Sequence, residues 1–388
     1  MSPYRNVFPP ARGKTIGCTL HGSCGEKGKR MKALLMLENG MTFEGHGFGE
    51  ERDVACEVVF NSAMCGYPEL LTDPSYAGQG VVMTYPMIGN YGICIEDAES
   101  CKPWLSAFIV HGVSGLASNF RCDMDLDAYL KNNHIPGMYG IDTRVLTRVL
   151  RESGTMKGMI AYGDNPDLDQ MKKTIEEFRM VSCVPQVSVQ NGHVYGDGPV
   201  RIALHDYGVK QNIIRCLVQR GCTVKCFAHD CSMEDMLAFK PDGIMLSNGP
   251  GDPQANTKAI AELRRIYEYG IPTFGICLGH QLMALSQGFD TYKLKYGHRG
   301  INHPVKELAN NRVYITSQNH GFVVNAETVD PKKAEVSFVS MNDGSVEGLT
   351  YENRRVFTVQ FHPEACGGPK DTGFLFDRFL TMIEKGSL

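Results

Sequence analysis

Cys277 lies in the stretch FGICLGHQ, with Gly275 and Gly279 two residues away on either side. An apolar run from Pro272 to Ile276 leads into it, and a helical pattern from Leu278 to Gln287 leads out. This is the layout of a strand–turn–helix nucleophile elbow with sulfur in place of oxygen. The glycines permit a tight turn and close approach of backbone. The free N–H groups at the helix start favour thiolate over thiol. A cysteine nucleophile needs a base, and FHPEA supplies His362 with Glu364 two residues later. Residues two apart on extended chain point the same way, so Glu364 can orient the imidazole. A third segment, SNGPGDP from Ser247 to Pro253, follows the apolar run Gly243 to Leu246. A glycine-rich loop at a strand end can aim amides at a developing oxyanion, with Gly249, Gly251 and the amide of Leu278 as donors. Taken singly, these are a structural cysteine, a histidine before proline and a turn. Together, at three strand ends of one unit, they point to cysteine-based acyl transfer.

The elements that must position these groups follow from periodicity. From Arg201 onward strands and helices alternate: strands near 201–207, 223–228, 243–246 and 272–276, helices near 211–219, 233–239, 258–269 and 278–287. That cadence predicts a mainly parallel, helix-flanked sheet. Strand-rich sequence follows, and Phe374 to Ile383 closes as a helix. The first half reads differently. Strands are expected at Lys32–Glu38, Met41–Phe43, Cys56–Phe60 and Trp104–His111. Helices are expected at Asp125–Asn132, Thr143–Gly154 and Leu168–Phe178, the second with Val145, Leu146, Val149 and Leu150 on one face. Closely spaced Gly and Pro between residues 66 and 89 predict loops and short strands. The fold class is thus α/β. Residues 31–185 form a mixed α/β domain with short strands, and residues 200–388 form a domain with a parallel sheet. The polar, Gly-rich segment 186–199 is the expected linker.

The 388 residues exceed one typical core, which agrees with two domains. A net charge of −4 gives no sign of a nucleic-acid surface. No stretch is long and uncharged enough to span a bilayer. Residues 1–30 are polar and lack an apolar region, so they read as a disordered extension and not a secretory signal. Cys18, His21 and Cys24 there offer at most three metal ligands with no companion motif. The 14 cysteines form no compact framework and suit reduced thiols in the cytoplasm.

The same three catalytic segments resemble the hallmark blocks of class I glutamine amidotransferases. The resemblance extends to the first half: VFNSAMCGYPELLTDPSYAGQ, TYPMIGNYG and IDTRVLTRVLRESG are similar to the N-terminal domain of the glutamine-hydrolysing small subunits of carbamoyl-phosphate synthases. ALHDYGVKQNI, TSQNHGF and FHPEACGGPKDTGFLFDRF resemble that family too, so the likeness covers roughly residues 31–385. It implies attack of Cys277 on the glutamine side-chain amide, a γ-glutamyl thioester, and release of ammonia and glutamate. It implies a glutamine site of Ser75, Gly249, Gly251, Leu278, Gln281, Asn319, Gly321 and Phe322. It also implies a large-subunit partner that uses the ammonia with bicarbonate and ATP to make carbamoyl phosphate for arginine and pyrimidine synthesis. ATP and Mg would bind that partner, and this chain would need no metal or cofactor. Consistently, no G-x-x-x-x-G-K-[ST] phosphate loop occurs here.

Three other readings compete: an ammonia-supplying subunit of a different synthase, a non-catalytic scaffold, and a cysteine peptidase on the same fold. Among secondary candidates, His320 is expected near the site, and His280 and His303 are expected to be structural. His205 is expected to be a packing or surface variation. Cys366, close behind Glu364, lacks an elbow and ranks below Cys277.

Overall fold

The computed structural model describes residues 30–180, 182–190, 192–352, 355–365 and 367–388. The extension and its candidate ligands Cys18, His21 and Cys24 therefore lie outside the described residues, as does Cys366. Arg30 is described, and its guanidinium pairs with Asp127 at 3.0 Å.

In the first half seven strands close into a barrel: β1 (Lys32–Leu37), β2 (Thr42–Gly49), β3 (Val54–Asn61), β4 (Gln79–Met83), β5 (Ala107–Ile109), β6 (Pro136–Tyr139) and β7 (Met156–Tyr162). The order around the barrel is β1-β2-β6-β5-β4-β3-β7. Leu35, Val58, Val82, Ile109, Met138 and Ile160, one from each of six strands, are fully buried in one cluster. The helix Thr143–Ser153 adds Leu146 and Leu150 to that cluster, and Val149 packs against it. Val145, expected on the same face, is instead exposed. Closure was not expected from the short, Gly- and Pro-punctuated strands. It leaves the barrel without open edges, which is how short strands form a stable sheet.

The second half is built on a ten-stranded sheet. Its strands are β8 (Val194–Tyr195), β9 (Val200–Asp206), β10 (Cys222–Ala228), β11 (Gly243–Leu246), β12 (Thr273–Ile276), β13 (Thr291–Glu307), β14 (Arg312–Val324), β15 (Ala334–Ser340), β16 (Val346–Tyr351) and β17 (Val356–Val359). The order is β8-β10-β9-β11-β12-β17-β16-β15-β13-β14. The central run β10-β9-β11-β12-β17 is parallel, as the strand–helix alternation predicts. The flanking strands run antiparallel. Along the central strands the side chains alternate between two cores. Ile202, Leu204 and Met245 face the helices Gln211–Val218 and Phe374–Lys385. Ala203, Ile244 and Leu246 face the helices Thr257–Tyr269 and Leu278–Ser286. Burial on both faces is why these strands read as continuous apolar runs.

The segment expected to be a bare linker carries β8, which pairs antiparallel with β10. Its glycines serve close packing. A Cβ on Gly192 would stand 2.1 Å from the Cys226 carbonyl oxygen, and one on Gly198 would stand 1.8 Å from that of Gly221.

Candidate active site

The three sequence segments converge at the carboxyl ends of the neighbouring strands β11, β12 and β17, where open α/β sheets place ligands. Cys277 follows β12 directly and adopts φ 54°, ψ −104°, a left-handed backbone rare for a residue with a side chain. Its amide donates to the Val359 carbonyl at 2.8 Å, which fixes the turn against β17. The elbow needs both flanking glycines. A Cβ on Gly279 would lie 2.6 Å from Leu246 Cβ, and one on Gly275 would lie 2.9 Å from Thr358 Cγ2. Cys277 Sγ points toward the Asn319 carbonyl at 3.7 Å.

His362 and Glu364 are both buried, and His362 Nδ1 donates to Glu364 Oε1 at 2.7 Å. His362 Nε2 is buried without a hydrogen-bond partner, which leaves that nitrogen available for proton exchange. Burial and the Lys210 ammonium oppose protonation of His362, but Glu364 and the nearby sulfur outweigh them and raise its pKa. Burial alone would raise the Glu364 pKa; His362 and Lys210 hold it well below the usual carboxylate range.

In front of the sulfur is a cavity of about 560 Å³. Gly249 and Gly251 line one side. Gln281, Asn319, Gly321 and Phe322 line another, and Ser75 of the barrel half closes it. Leu278 does not line the cavity: its side chain packs over Gly249, and only its amide is available. Among the described residues, the amides of Gly249 and Leu278 donate to no protein acceptor, which suits them to an oxyanion. Gly279 is excluded as a donor because its amide is bonded to the Ser247 carbonyl at 3.0 Å. Gly249 cannot carry a side chain, since a Cβ would meet the Tyr207 carbonyl at 2.3 Å. Gly251 needs its φ of +88°. The Gln281 amide nitrogen is committed to the Phe322 carbonyl (2.7 Å) and to Gln360 Oε1 (3.0 Å). What Gln281 can offer a ligand is therefore its oxygen, a partner for an ammonium group.

Ser75 sits on the short turn Pro74–Tyr76, and its hydroxyl accepts from Asn248 Nδ2 at 2.9 Å. Asp73 accepts from the Ser75 amide (2.9 Å) and from Asn319 Nδ2 (3.0 Å). These bonds stitch the barrel half onto the nucleophile half.

Sequence reasoning missed four contributors. Lys210 Nζ lies 3.2 Å from His362 Nδ1, 3.2 Å from Glu364 Oε1 and 3.7 Å from Asp73 Oδ2. Burial opposes its charge, but Asp73, Glu364 and Glu99 raise its pKa far above the ordinary value. Asp73 and Asn248 position Ser75. Arg299 lines the same cavity as Cys277 and is buried, which lowers its pKa. Lys210 and Asp73 both lie inside quoted motifs, VKQNI and DPSY, but only the fold brings them together.

The secondary histidines separate clearly. His320 lines the cavity, with Nδ1 2.9 Å from the Phe322 carbonyl and Nε2 2.6 Å from Gln318 Oε1. His280 is buried against Thr358 Oγ1 at 2.8 Å, and burial pushes its pKa down to about 3. His303 packs beside His298, and burial pushes it down to about 4. His205 is no surface variation. It is fully buried between the His229 carbonyl (3.1 Å) and the Tyr207 hydroxyl (2.9 Å).

Comparison with known proteins places both halves. Residues 203–382 match the family described as Glutamine amidotransferase class-I. Residues 35–160 match the family described as Carbamoyl-phosphate synthase small chain, CPSase domain. The chain is 51% identical over 351 residues to the carbamoyl phosphate synthase small chain of Clostridium perfringens, which spans 90% of this chain and 99% of that one. It is 47% identical over 355 residues to the pyrimidine-specific small chain of Bacillus subtilis, covering 91% of this chain and 96% of the relative. It is 46% identical over 360 residues to the small chain of Symbiobacterium thermophilum, covering 91% and 99%.

Proposed function

The chain belongs to the family of carbamoyl phosphate synthase small chains, and we propose that Cys277 is the nucleophile with which it hydrolyses glutamine, His362 the base and Glu364 the group that orients the base. It is the glutamine amidotransferase component of that enzyme, and its hydrolysis feeds a large subunit. One observation carries the residue assignment: a cysteine on a strained elbow opens onto a cavity walled by both halves, with a buried His–Glu pair behind it.

His362 Nε2 takes the thiol proton as the sulfur attacks the side-chain amide carbon of glutamine. The amides of Gly249 and Leu278 face the oxygen as it becomes negative. On collapse the C–N bond breaks, His362 returns its proton to the nitrogen, and ammonia leaves a γ-glutamyl thioester. Water, deprotonated by the same imidazole, then cleaves the thioester to glutamate and regenerates Cys277. Throughout, Glu364 stabilises the imidazolium. Ser75, Gln281, Asn319, Gly321 and Phe322 hold the amino-acid end of the substrate.

The reading includes two domains, 31–185 and 200–388, joined through 186–199. It includes ATP and Mg on the large subunit, where ammonia and bicarbonate become carbamoyl phosphate for arginine or pyrimidine synthesis. It also includes a cytoplasmic heterodimer able to associate further. Glutamate release from glutamine, measured with the large subunit, ATP and bicarbonate present, tests the core of it. Cys277→Ser is expected to lower release at least about 1,000-fold. Unchanged release in that variant would remove Cys277 from the mechanism.

A further inference from the structure

Beside the glutamine site, three buried side chains from three strands meet at one point. His298 on β13 is the register partner of His320 on β14, and their rings stand edge to face with centroids 4.9 Å apart. Glu347 on β16 reaches the same place. One nitrogen of each ring and Glu347 Oε1 all lie within 4.8 Å of one another. The three residues are 6%, 4% and 0% exposed. None has a part in the chemistry at Cys277.

The outer nitrogens fix how the rings are protonated. His298 Nε2 lies 2.9 Å from Asp343 Oδ2, and His320 Nδ1 lies 2.9 Å from the Phe322 carbonyl. A carboxylate and a carbonyl only accept, so those nitrogens carry the protons and the inner ones carry lone pairs. Metal-bound imidazoles are held in this way, by a carboxylate or a carbonyl on the far nitrogen. His298 Nδ1 is 3.4 Å from Glu347 Oε1. Yet neither atom makes a hydrogen bond among the described residues, which leaves both open to a third atom. Two ligands on a tetrahedral zinc, with bonds of about 2.05 Å, stand about 3.3 Å apart. His320 Nε2 is 3.9 Å from Glu347 Oε1, so a small shift of one ring completes the set.

The hydrogen bonds around Gln318 also call for a cation here. Its Oε1 faces His320 Nε2 at 2.6 Å, and its Nε2 donates to Glu347 Oε2 at 2.9 Å. Both His320 nitrogens therefore face oxygen acceptors. Turning the amide over sets its oxygen against the Glu347 carboxylate instead. With Glu347 ionised, a cation must take the His320 lone pair. A second proton would leave the imidazolium no nearer than 3.9 Å to Glu347 Oε1. A divalent ion would bind that oxygen directly, and Glu347 and Asp343 would match its charge.

We propose that His298, His320 and Glu347 form a binding site for a divalent transition-metal ion of the zinc class. Two imidazoles and one carboxylate suit that ion. Asp343, on the turn between β15 and β16, has a side chain 41% exposed and marks the way in. The ion is an accessory one. It ties β14, which carries Asn319, Gly321 and Phe322, to β13 and β16. This role, unlike the binding itself, rests on the reading of those residues as the glutamine site.

The test uses the chain in complex with its large subunit, stripped by a chelator and then titrated with Zn²⁺ or Co²⁺. Binding is measured on a Cys277→Ser background, which removes the reactive thiol. One zinc per chain is expected to bind there and to be lost in Glu347→Gln. Asp343→Asn keeps all three ligands and is expected to weaken binding about 10–100-fold. Co²⁺ should give the visible bands of a tetrahedral site without a thiolate charge-transfer band. Equal zinc binding with and without the Glu347 carboxylate would overturn the assignment, as would a cobalt–thiolate band or no binding at all. With Cys277 intact, stripping is expected to raise KM for glutamine about threefold and added zinc to restore it. An unchanged KM would overturn the accessory role. Zinc bound as expected by a complex that releases no glutamate would leave the metal site standing and defeat the glutaminase reading.

Discussion

The two sides of the Cys277–His362 pair are built from different materials. Around the sulfur the walls are mostly glycine backbone and uncharged side chains: Gly249, Gly251, Gly321, Ser75, Gln281 and Asn319. Charged side chains, namely Arg299, Asp252, Glu38, Lys157 and the pair Glu57–Lys293 joined at 2.5 Å, are the minority of that lining. Around the imidazole lie full charges, with Lys210 among Glu364, Asp73 and Glu99. The contrast follows from what each side does. A substrate that must enter and leave is best met by preformed dipoles, which need little reorganisation. A base whose proton affinity must stay tuned needs charges that never leave. Lesions in front should therefore act on substrate binding and on the oxyanion, and lesions behind should act on stability and kcat.

Removing charge from the back is the most severe way to probe this contrast. Lys210→Gln would leave Glu364 and Asp73 buried without their cation, a type of loss that costs about 3–5 kcal/mol. Denaturant titration should show a destabilisation of that size, together with a collapse of kcat. If stability is unchanged, the charges behind His362 are not a coupled set. An intermediate effect is expected in front from Gly249→Ala. Its new Cβ must displace the Tyr207 carbonyl, so the loop amide moves off the oxyanion. Loss of one such donor costs on the order of 100-fold in kcat. Steady-state rates should show that fall, and denaturant titration should show a smaller loss of stability than for Lys210→Gln, since the new Cβ must push against backbone. The smallest effect should come from Ser75→Ala, which deletes one hydrogen-bonding hydroxyl worth about 1 kcal/mol. The expected result is a rise in KM of about fivefold with kcat nearly intact; a pure kcat effect would place Ser75 with the back instead.

The trio proposed for catalysis was legible as a cluster because each member sits at the end of an apolar run, where local pattern alone announces a strand and a turn. Gly275 and Gly279 carry that signal for Cys277, and the two-residue spacing carries it for His362 and Glu364. The parallel centre of the large sheet was legible for the same reason. Lys210, Glu99 and Asn248 were not, since their meaning arises only from contacts across distant parts of the chain: 152 positions separate Lys210 from His362. The closed barrel escaped because closure depends on pairings such as β2 with β6 and β3 with β7. Those pairings leave no periodic trace in short strands broken by Gly and Pro. In the segment 186–199, glycines that suggest a flexible tether are there because strand β10 passes too close for a side chain.

The stitches at Ser75, Asp73 and Glu99, whose Oε2 accepts from the Asn212 amide at 3.0 Å, also bear on modularity. Someone wishing to transplant the nucleophile half into another synthase could cut near residue 199 and keep the elbow, the glycine loop and the His–Glu pair. The graft would nevertheless arrive with one wall of its substrate chamber missing and two of the anions around Lys210 left behind. A recombination point inside this chain is therefore expected to be tolerated only where the incoming partner brings its own equivalents of those three side chains.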